Sequence, residues 1–539
     1  MPVLASRIDP TSDAFKANHE AQLALLQHVR AIEGRVRQNS ARQAEKFAKR
    51  GQILPRDRIA RLLDRGAPFL ELSTLAGHEM HDDDGKRDAA GGGNIIGIGF
   101  VGGVRCLVTA SDSAIKGGAV SPMGLRKSLR AQEIALQNKL PAIALVESAG
   151  ANLLYQAEIF VDGGRVFANM ARLSAAGVPQ ITVVHGSSTA GGAYIPGLSD
   201  YVVAVRGQAK VFLAGPPLVQ AATGELTDDE SLGGAELHAS VTGTAEYIAE
   251  NDEHALHIAR ELIGKLRWDR GCPSGPAPSF RPPRHDPQEL LGVVPADFKR
   301  PYDVKEVIAR IVDDSDFLEF KALYGPHTVC GHAAIEGHPV GILGNNGPID
   351  PDGATKAGHF IQLCSQAGVP LLYLQNTTGY MVGTAAERAG MVKHGSKMIQ
   401  AVANATVPAV TLVIGGSFGA GNYGMCGRSF DPRFIFAWPG SRIAVMGGEQ
   451  AAKVMEIITV AKFERMGMQA DPEAMAQMGK SIKDRLDAES SALYATARIW
   501  DDGIIDPRDT RKVLAFAYAT LREAQARALH PNTFGVARL

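Results

Sequence analysis

The 539-residue chain has little cysteine, no charge bias and no long apolar run. Its five cysteines, Cys106, Cys272, Cys330, Cys364 and Cys426, are odd in number and never spaced as CxxC. That excludes a zinc ribbon and a disulfide framework, and points to a reducing compartment. Lys plus Arg total 56 against 57 Asp plus Glu, a net charge of −1. General electrostatic binding to nucleic acid or to an anionic membrane is therefore not expected. No stretch of 18 uninterrupted apolar residues is present, and the first twenty residues lack the apolar segment of a signal peptide. A cytoplasmic protein is expected. GxSxG, HExxH and GxxxxGK[ST] are also missing, as is any His pair at metal spacing, so no resident metal is expected.

Glycine, by contrast, is abundant. The 59 glycines are about 11% of the chain, against a typical ~7%. They cluster in short runs inside apolar segments. Residues 15–65 have helical spacing of apolar side chains with basic residues between them, which suits a solvated helix face or a subunit contact. Six prolines in 273–287 predict an extended linker. It separates a first domain, 1–272, from a second, 288–539.

The two halves resemble each other. LPAIALVESAGANL (140–153) echoes VPLLYLQNTTGYMV (369–382), and VPQITVVHGSSTAGGAY (178–194) echoes VPAVTLVIGGSFGAGNY (407–423). Both matches share one offset, 229 residues (141 to 370, 179 to 408). A duplicated α/β domain follows, with strands apolar on both faces and therefore covered by helices.

In each half a Gly-rich turn, 186–194 or 415–423, follows a buried strand and opens a helix. Backbone N–H groups there can hold a phosphate or an oxyanion. A tight strand–helix turn without a ligand explains one such loop equally well; two at duplicated positions suggest two oxyanion holes. Ser148-Ala149-Gly150-Ala151-Asn152 and Asn376-Thr377-Thr378-Gly379-Tyr380 also follow strands, and crowd the same sheet edge. Glu147 and Glu225 have no evident partner. Oxyanion holes without acid–base groups suit chemistry in which the substrates carry the reactivity.

VESAGANLLYQ, GSSTAGGAYIPGLSDY, FLAGPPLVQAATGE, LGGAELH, QNTTGYMVG, IGGSFGAGNYGMCGR, VMGGEQAA and WDDGIIDP, in this order, resemble the carboxyltransferase (β) subunit of biotin-dependent acyl-CoA carboxylases. The resemblance spans about residues 20–535 and is greatest to the methylcrotonyl-CoA and geranyl-CoA branch. It implies two tandem crotonase-like (ClpP/crotonase) domains and a homohexameric core. It also implies a partner α subunit bearing biotin carboxylase and the biotin. Carboxybiotin would release CO2, and an acyl-CoA enolate would attack it. By resemblance, Gly191 and Gly192 serve the enolate oxygen, with Ala190, Ala193, Gly150 and Ala151 around the acyl-CoA. Gly419 and Ala420 serve the biotin oxygen, with Thr378, Gly379, Phe418, Gly421 and Asn422 around the biotin. Lys116, Arg126, Lys127 and Arg130 are candidates for the CoA phosphates. Gly163 stands where the methylcrotonyl pattern carries an aromatic residue, which implies room for a longer acyl chain. A biotin-dependent decarboxylase component, a crotonase-like hydratase or isomerase, and a non-catalytic scaffold are the alternatives.

Overall fold

A computed structural model describes residues 3–83, 88–272, 279–295 and 297–536. The start of the Pro-rich stretch, 273–278, lies outside the described residues. The chain forms two units. One comprises Arg30–Gly275 with Ala497–Ile499 and Thr520–Leu539; the other comprises Met1–Val29, Pro276–Thr496 and Trp500–Ala519.

In the first unit the strands are β1 (Leu70–Leu72), β2 (Asn94–Val101), β3 (Val104–Ser111), β4 (Ala142–Ser148), β5 (Gln180–Thr189), β6 (Tyr201–Val205), β7 (Lys210–Phe212) and β8 (Tyr247–Ala249). They form one sheet in the order β1-β2-β3-β4-β5-β6-β8, with β7 also pairing β5. β1 to β3 are antiparallel, and β3 onward is parallel. Ile143, Leu145, Ile181 and Val183 are fully buried between the covering helices, which is why these strands read as unbroken β-branched and apolar runs.

The second unit carries β9 (Leu318–Glu319), β10 (Thr328–Ile335), β11 (His338–Asn345), β12 (Leu371–Thr377), β13 (Ala409–Phe418), β14 (Phe434–Ala437) and β15 (Arg442–Ala444). Their order is β14-β13-β12-β11-β10-β9, with β15 pairing β13.

The 229-residue offset persists in three dimensions. The helix Pro122–Gln137 is capped by Ser121, whose hydroxyl accepts from the N–H of Gly124. The helix Pro351–Ala367 is capped by Asp350, which accepts from Gly353. Each has proline in the first turn, where its missing N–H costs nothing. The β4–β5 ladder breaks register between Val146 and Ser148; the β12–β13 ladder breaks between Gln375 and Thr377.

Asp501 is a buried liability in the second unit. Thr496 and Gly503 donate to Oδ1, while Oδ2 is buried without a partner among the described residues. Burial pushes its pKa up to about 7 and the charge of Asp502 adds to this, against the two hydrogen bonds. From the unfolded value of ~3.9 up to about 7, the native state holds a proton that the unfolded chain has lost. This contribution to stability is intact below that window and lost as pH rises through it. The denaturation midpoint of the wild type is therefore expected to fall between about pH 4 and about pH 7, and that of Asp501→Asn to fall less; parallel profiles would contradict this.

Candidate active site

The Gly-rich strands run further than their composition suggests. β5 continues to Thr189 and β13 to Phe418, because their last residues pair with a new neighbour, β7 or β15. The turns are thus confined to Ala190–Ala193 and to the start of the helix Gly419–Gly424. Ala190 has φ +52° and its counterpart Gly419 has φ +55°, so both strands leave through a left-handed residue. The offset places Ala420 and Gly421 opposite Gly191 and Gly192, and Gly419 opposite Ala190. Gly419 therefore supplies the bend. The N–H groups that follow lie in a first turn, where they have no intrahelical acceptor.

The second turn of each site lies alongside. Ser148 Oγ accepts from the N–H of Gly150 at 3.1 Å, and Thr377 Oγ1 accepts from Gly379 at 3.2 Å. A Cβ on Gly150 would lie 3.6 Å from the Thr189 carbonyl, and one on Gly379 would lie 3.5 Å from that of Phe418. Bridges Val120–Ala151 and Ile349–Tyr380 fix the two loops at matching places. The structure thus brings Gly150 and Ala151 to Gly191 and Gly192 in one unit, and Gly379 to Gly421 in the other.

In the first unit the turns open on a cavity of about 660 Å³, within the usual ~300–1,000 Å³ of ligand sites. Gly150, Ala151, Gly163, Gly191 and Gly192 line it, together with Gly164, Val166, Phe167 and Met170, which the sequence reading did not single out. Among the described residues no Asp, Glu, His, Lys or Arg lines it. Gly163 and Gly164 lie inside the 20-residue helix Gln156–Ala175, where each costs about 0.5–1 kcal/mol relative to alanine. Packing does not require them: a Cβ at Gly163 would have its nearest neighbour, Leu125, at 4.0 Å, and one at Gly164 would meet nothing within 4 Å. What they leave is space.

The basic candidates separate. Lys116 borders a neighbouring cavity of about 460 Å³ that reaches Ser148 and Ser187, and pairs with Asp82 at 2.6 Å. Arg126 is half exposed, 3.8 Å from Asp162. Arg130 and Lys127 do not face solvent: both are buried, Arg130 against Glu133 and Lys127 donating to the carbonyls of Gly91 and Asn94. They sit on the inward face of the helix Pro122–Gln137, which its basic run disguises. Burial lowers the pKa of Lys127 to about 8, against the pull of Glu71.

Glu147, which lacks an evident partner in the sequence, has several in space. Arg58 donates to its Oε2 at 3.0 Å and Ser113 at 2.9 Å. Arg58 also donates to Asp252 at 2.9 Å, and His185 Nδ1 lies 2.7 Å from the same carboxylate. Burial and the charge of Arg58 lower the pKa of His185, leaving it neutral, with Nδ1–H as the donor. Burial alone would raise Asp252, but the hydrogen bond from His185 and the charge of Arg58 hold it below its ordinary value.

In the second unit Thr378 and Phe418 line a cavity of about 430 Å³, with Phe298 and Arg442. The rings of Phe298 and Phe418 lie 5.3 Å apart. The Asn422 amide turns inward, donating to Ser417 at 2.8 Å and to Gln375 at 3.3 Å; it braces the turn instead of facing the cavity.

Residues 46–536 match the carboxyl transferase domain. The chain belongs to that family. The carboxyltransferase is 47% identical over its whole length to a probable mitochondrial methylcrotonoyl-CoA carboxylase beta chain of Drosophila melanogaster, covering 95% of that protein. It is also 47% identical to a probable biotin-dependent acyl-coenzyme A carboxylase beta2 subunit of Mycobacterium tuberculosis, both chains covered fully. It is similar to the crystal structure of the geranyl-CoA carboxylase beta subunit of P. aeruginosa, with 58% identity, TM-score 0.94 and full coverage of both chains. The two units of the carboxyltransferase are crotonase-like domains. Among the described residues no helix is long and apolar enough to cross a membrane, and no cluster of His, Cys, Asp or Glu could hold a metal ion.

Proposed function

We propose that the carboxyltransferase is the β subunit of a biotin-dependent acyl-CoA carboxylase and acts on an extended, branched and unsaturated acyl-CoA of geranyl type. One observation carries this reading: a deep apolar cavity opens at paired N–H turns and offers no acid or base of its own among the described residues. A hydratase or isomerase needs a carboxylate there, and Glu147, which precedes Ser148 of the lining, is held by Arg58 and Ser113. The proton must therefore leave with a second reactant. The similarity to the geranyl-CoA carboxylase beta subunit points the same way.

In this reading Gly191 and Gly192 present N–H groups to the thioester oxygen as it gains enolate charge, with Gly150 beside them. One such donor is worth ~2.7–4 kcal/mol in other enzymes. The apolar walls seat the acyl tail, and Gly163 and Gly164 leave room for its far end. Lys116 and Arg126 are the remaining candidates for the CoA phosphates. In the second unit the two turns touch closely, a Cβ on Gly421 lying 2.8 Å from Gly379 Cα, and Phe298 and Phe418 offer the adjoining cavity apolar faces suited to a biotin ring. Thr378, Gly379 and Phe418 would hold it, with the N–H groups of Ala420 and Gly421 toward its ureido oxygen. Biotin, carried on a partner subunit, supplies the carboxyl group and accepts the proton.

The domain division at 273–287 belongs to the same proposal. The hexameric core implied by the resemblance would cover Leu153, Leu154, Phe160 and Val161, which stand 76%, 84%, 83% and 74% exposed. Five unpaired cysteines accord with a reducing compartment, and we place the carboxyltransferase in the cytoplasm. Tagged protein drawn from its native extract should bring down a streptavidin-reactive polypeptide. A ring that assembles without one would overturn the partner assignment.

A further inference from the structure

The two units share turns, caps and bulges but differ in what ties their strand ends together. In the second unit the tie is neutral: Ser417 donates to Gln375 at 2.7 Å, and Asn422 donates to both. In the first it is charged. The positions of Glu147 and His185 are taken by Asn376 and Ile414 at the 229-residue offset.

The charged tie forms a closed path. Glu147 ends β4 next to Ser148, and His185 lies in β5 next to Gly186. From β4 the path runs through Glu147 to Arg58, then to Asp252, then to His185 and into β5. Gln52 closes it directly, donating to the His185 carbonyl at 2.9 Å and to Glu147 at 3.4 Å. Arg58 and Asp252 are each 1% exposed, and His185 is fully buried. A Cβ on Gly186 would sit 2.7 Å from Glu147 Cγ, so the strands are in close contact there. Buried ion pairs seldom add net stability, because desolvation offsets their attraction. A charged tie in one unit only, between the strands that carry the enolate turns, calls for another role.

We propose that Arg58, Glu147 and His185 are positioning residues that hold the Gly150 turn of β4 against the Gly191–Gly192 turn of β5, and so set the spacing of the N–H groups that face the acyl-CoA enolate. This rests on the enolate reading of that cavity. The residues touch no reacting atom. Their effect is confined to the charged state of the substrate, since a neutral thioester makes weaker demands on donor spacing.

Binding to the full chain separates the possibilities. Two CoA thioethers are compared, one ending in a nitroalkyl group that ionises to a nitronate and mimics the enolate, the other in the matching alkyl group. The wild type should bind the nitronate more tightly. Glu147→Gln keeps the size but removes the charge facing Arg58 and turns one accepting oxygen into a donor. Arg58→Lys keeps the charge but has one head group to share between Glu147 and Asp252. Both should lose the nitronate preference by about tenfold or more, with alkyl thioether affinity changed by less than about threefold. A retained preference in folded Glu147→Gln, or parallel loss of both ligands, overturns the positioning role. A wild type without the preference overturns the enolate reading itself, and the proposal with it.

Discussion

Gly163→Phe is expected to abolish carboxylation of a geranyl-length thioester while leaving that of a short branched thioester measurable. The helix Gln156–Ala175 carries Gly163 in ordinary helical geometry on the cavity wall. The nearest atom to a new Cβ would be 4.0 Å away, at Leu125. The Cβ can therefore be added without a clash, and a ring on it would take up space of the cavity that Gly163 lines. The variant should be no less stable than the wild type, since glycine in a helix interior is worth about 0.5–1 kcal/mol less than alanine. For the long substrate, kcat/KM should fall by at least about 10³-fold, on the order of 4 kcal/mol, the scale of a phenyl ring overlapping a bound chain. Equal loss on short and long thioesters would show that Gly163 does not border the acyl tail.

Gly421→Ala is expected to be strongly damaging in the second unit. Its Cβ would lie 2.8 Å from the Cα of Gly379 and 3.1 Å from Thr377 Cγ2. Neither neighbour is the end of a flexible chain, so the two turns must separate. The counterpart substitution, Gly192→Ala, places its Cβ 3.6 Å from Ser148, an ordinary contact. Turnover in the holoenzyme should drop by about 10²–10³-fold for Gly421→Ala, the cost of misplacing an oxyanion donor. Gly192→Ala should be affected far less. Comparable activity of both variants would mean that the cradle at Gly379 and Gly421 is not part of the site.

Much of this site is written locally in the chain. The spacing from Gly150 to Gly191 repeats from Gly379 to Ala420, and caps, bulges and left-handed residues follow the same offset. Local patterns carry such features because each needs only a few neighbouring residues. The charged tie is different. Its members are separated by 67, 89 and 194 residues; Glu147 and His185 look like lone polar groups in apolar strands, and Arg58 and Asp252 like ordinary helix charges among others. Only the sheet brings them together. The end of β5 was obscured for another reason: Gly186, Ser187 and Ser188 have poor strand propensity, and tertiary pairing with β7 overrides it. Arg130 and Lys127 mislead because a basic run on a helix gives no sign of which face is buried.

The most direct test of the account is fixation of labelled bicarbonate by the carboxyltransferase together with its biotin-bearing partner, assayed with ATP and a series of acyl-CoAs from short to geranyl length. The account predicts ATP-dependent label in the acyl-CoA, blocked by avidin and greatest for the longest branched, unsaturated chain. Fixation confined to short chains would contradict the cavity assignment, and a complex that binds acyl-CoA but fixes no label would contradict carboxyl transfer to an acyl-CoA.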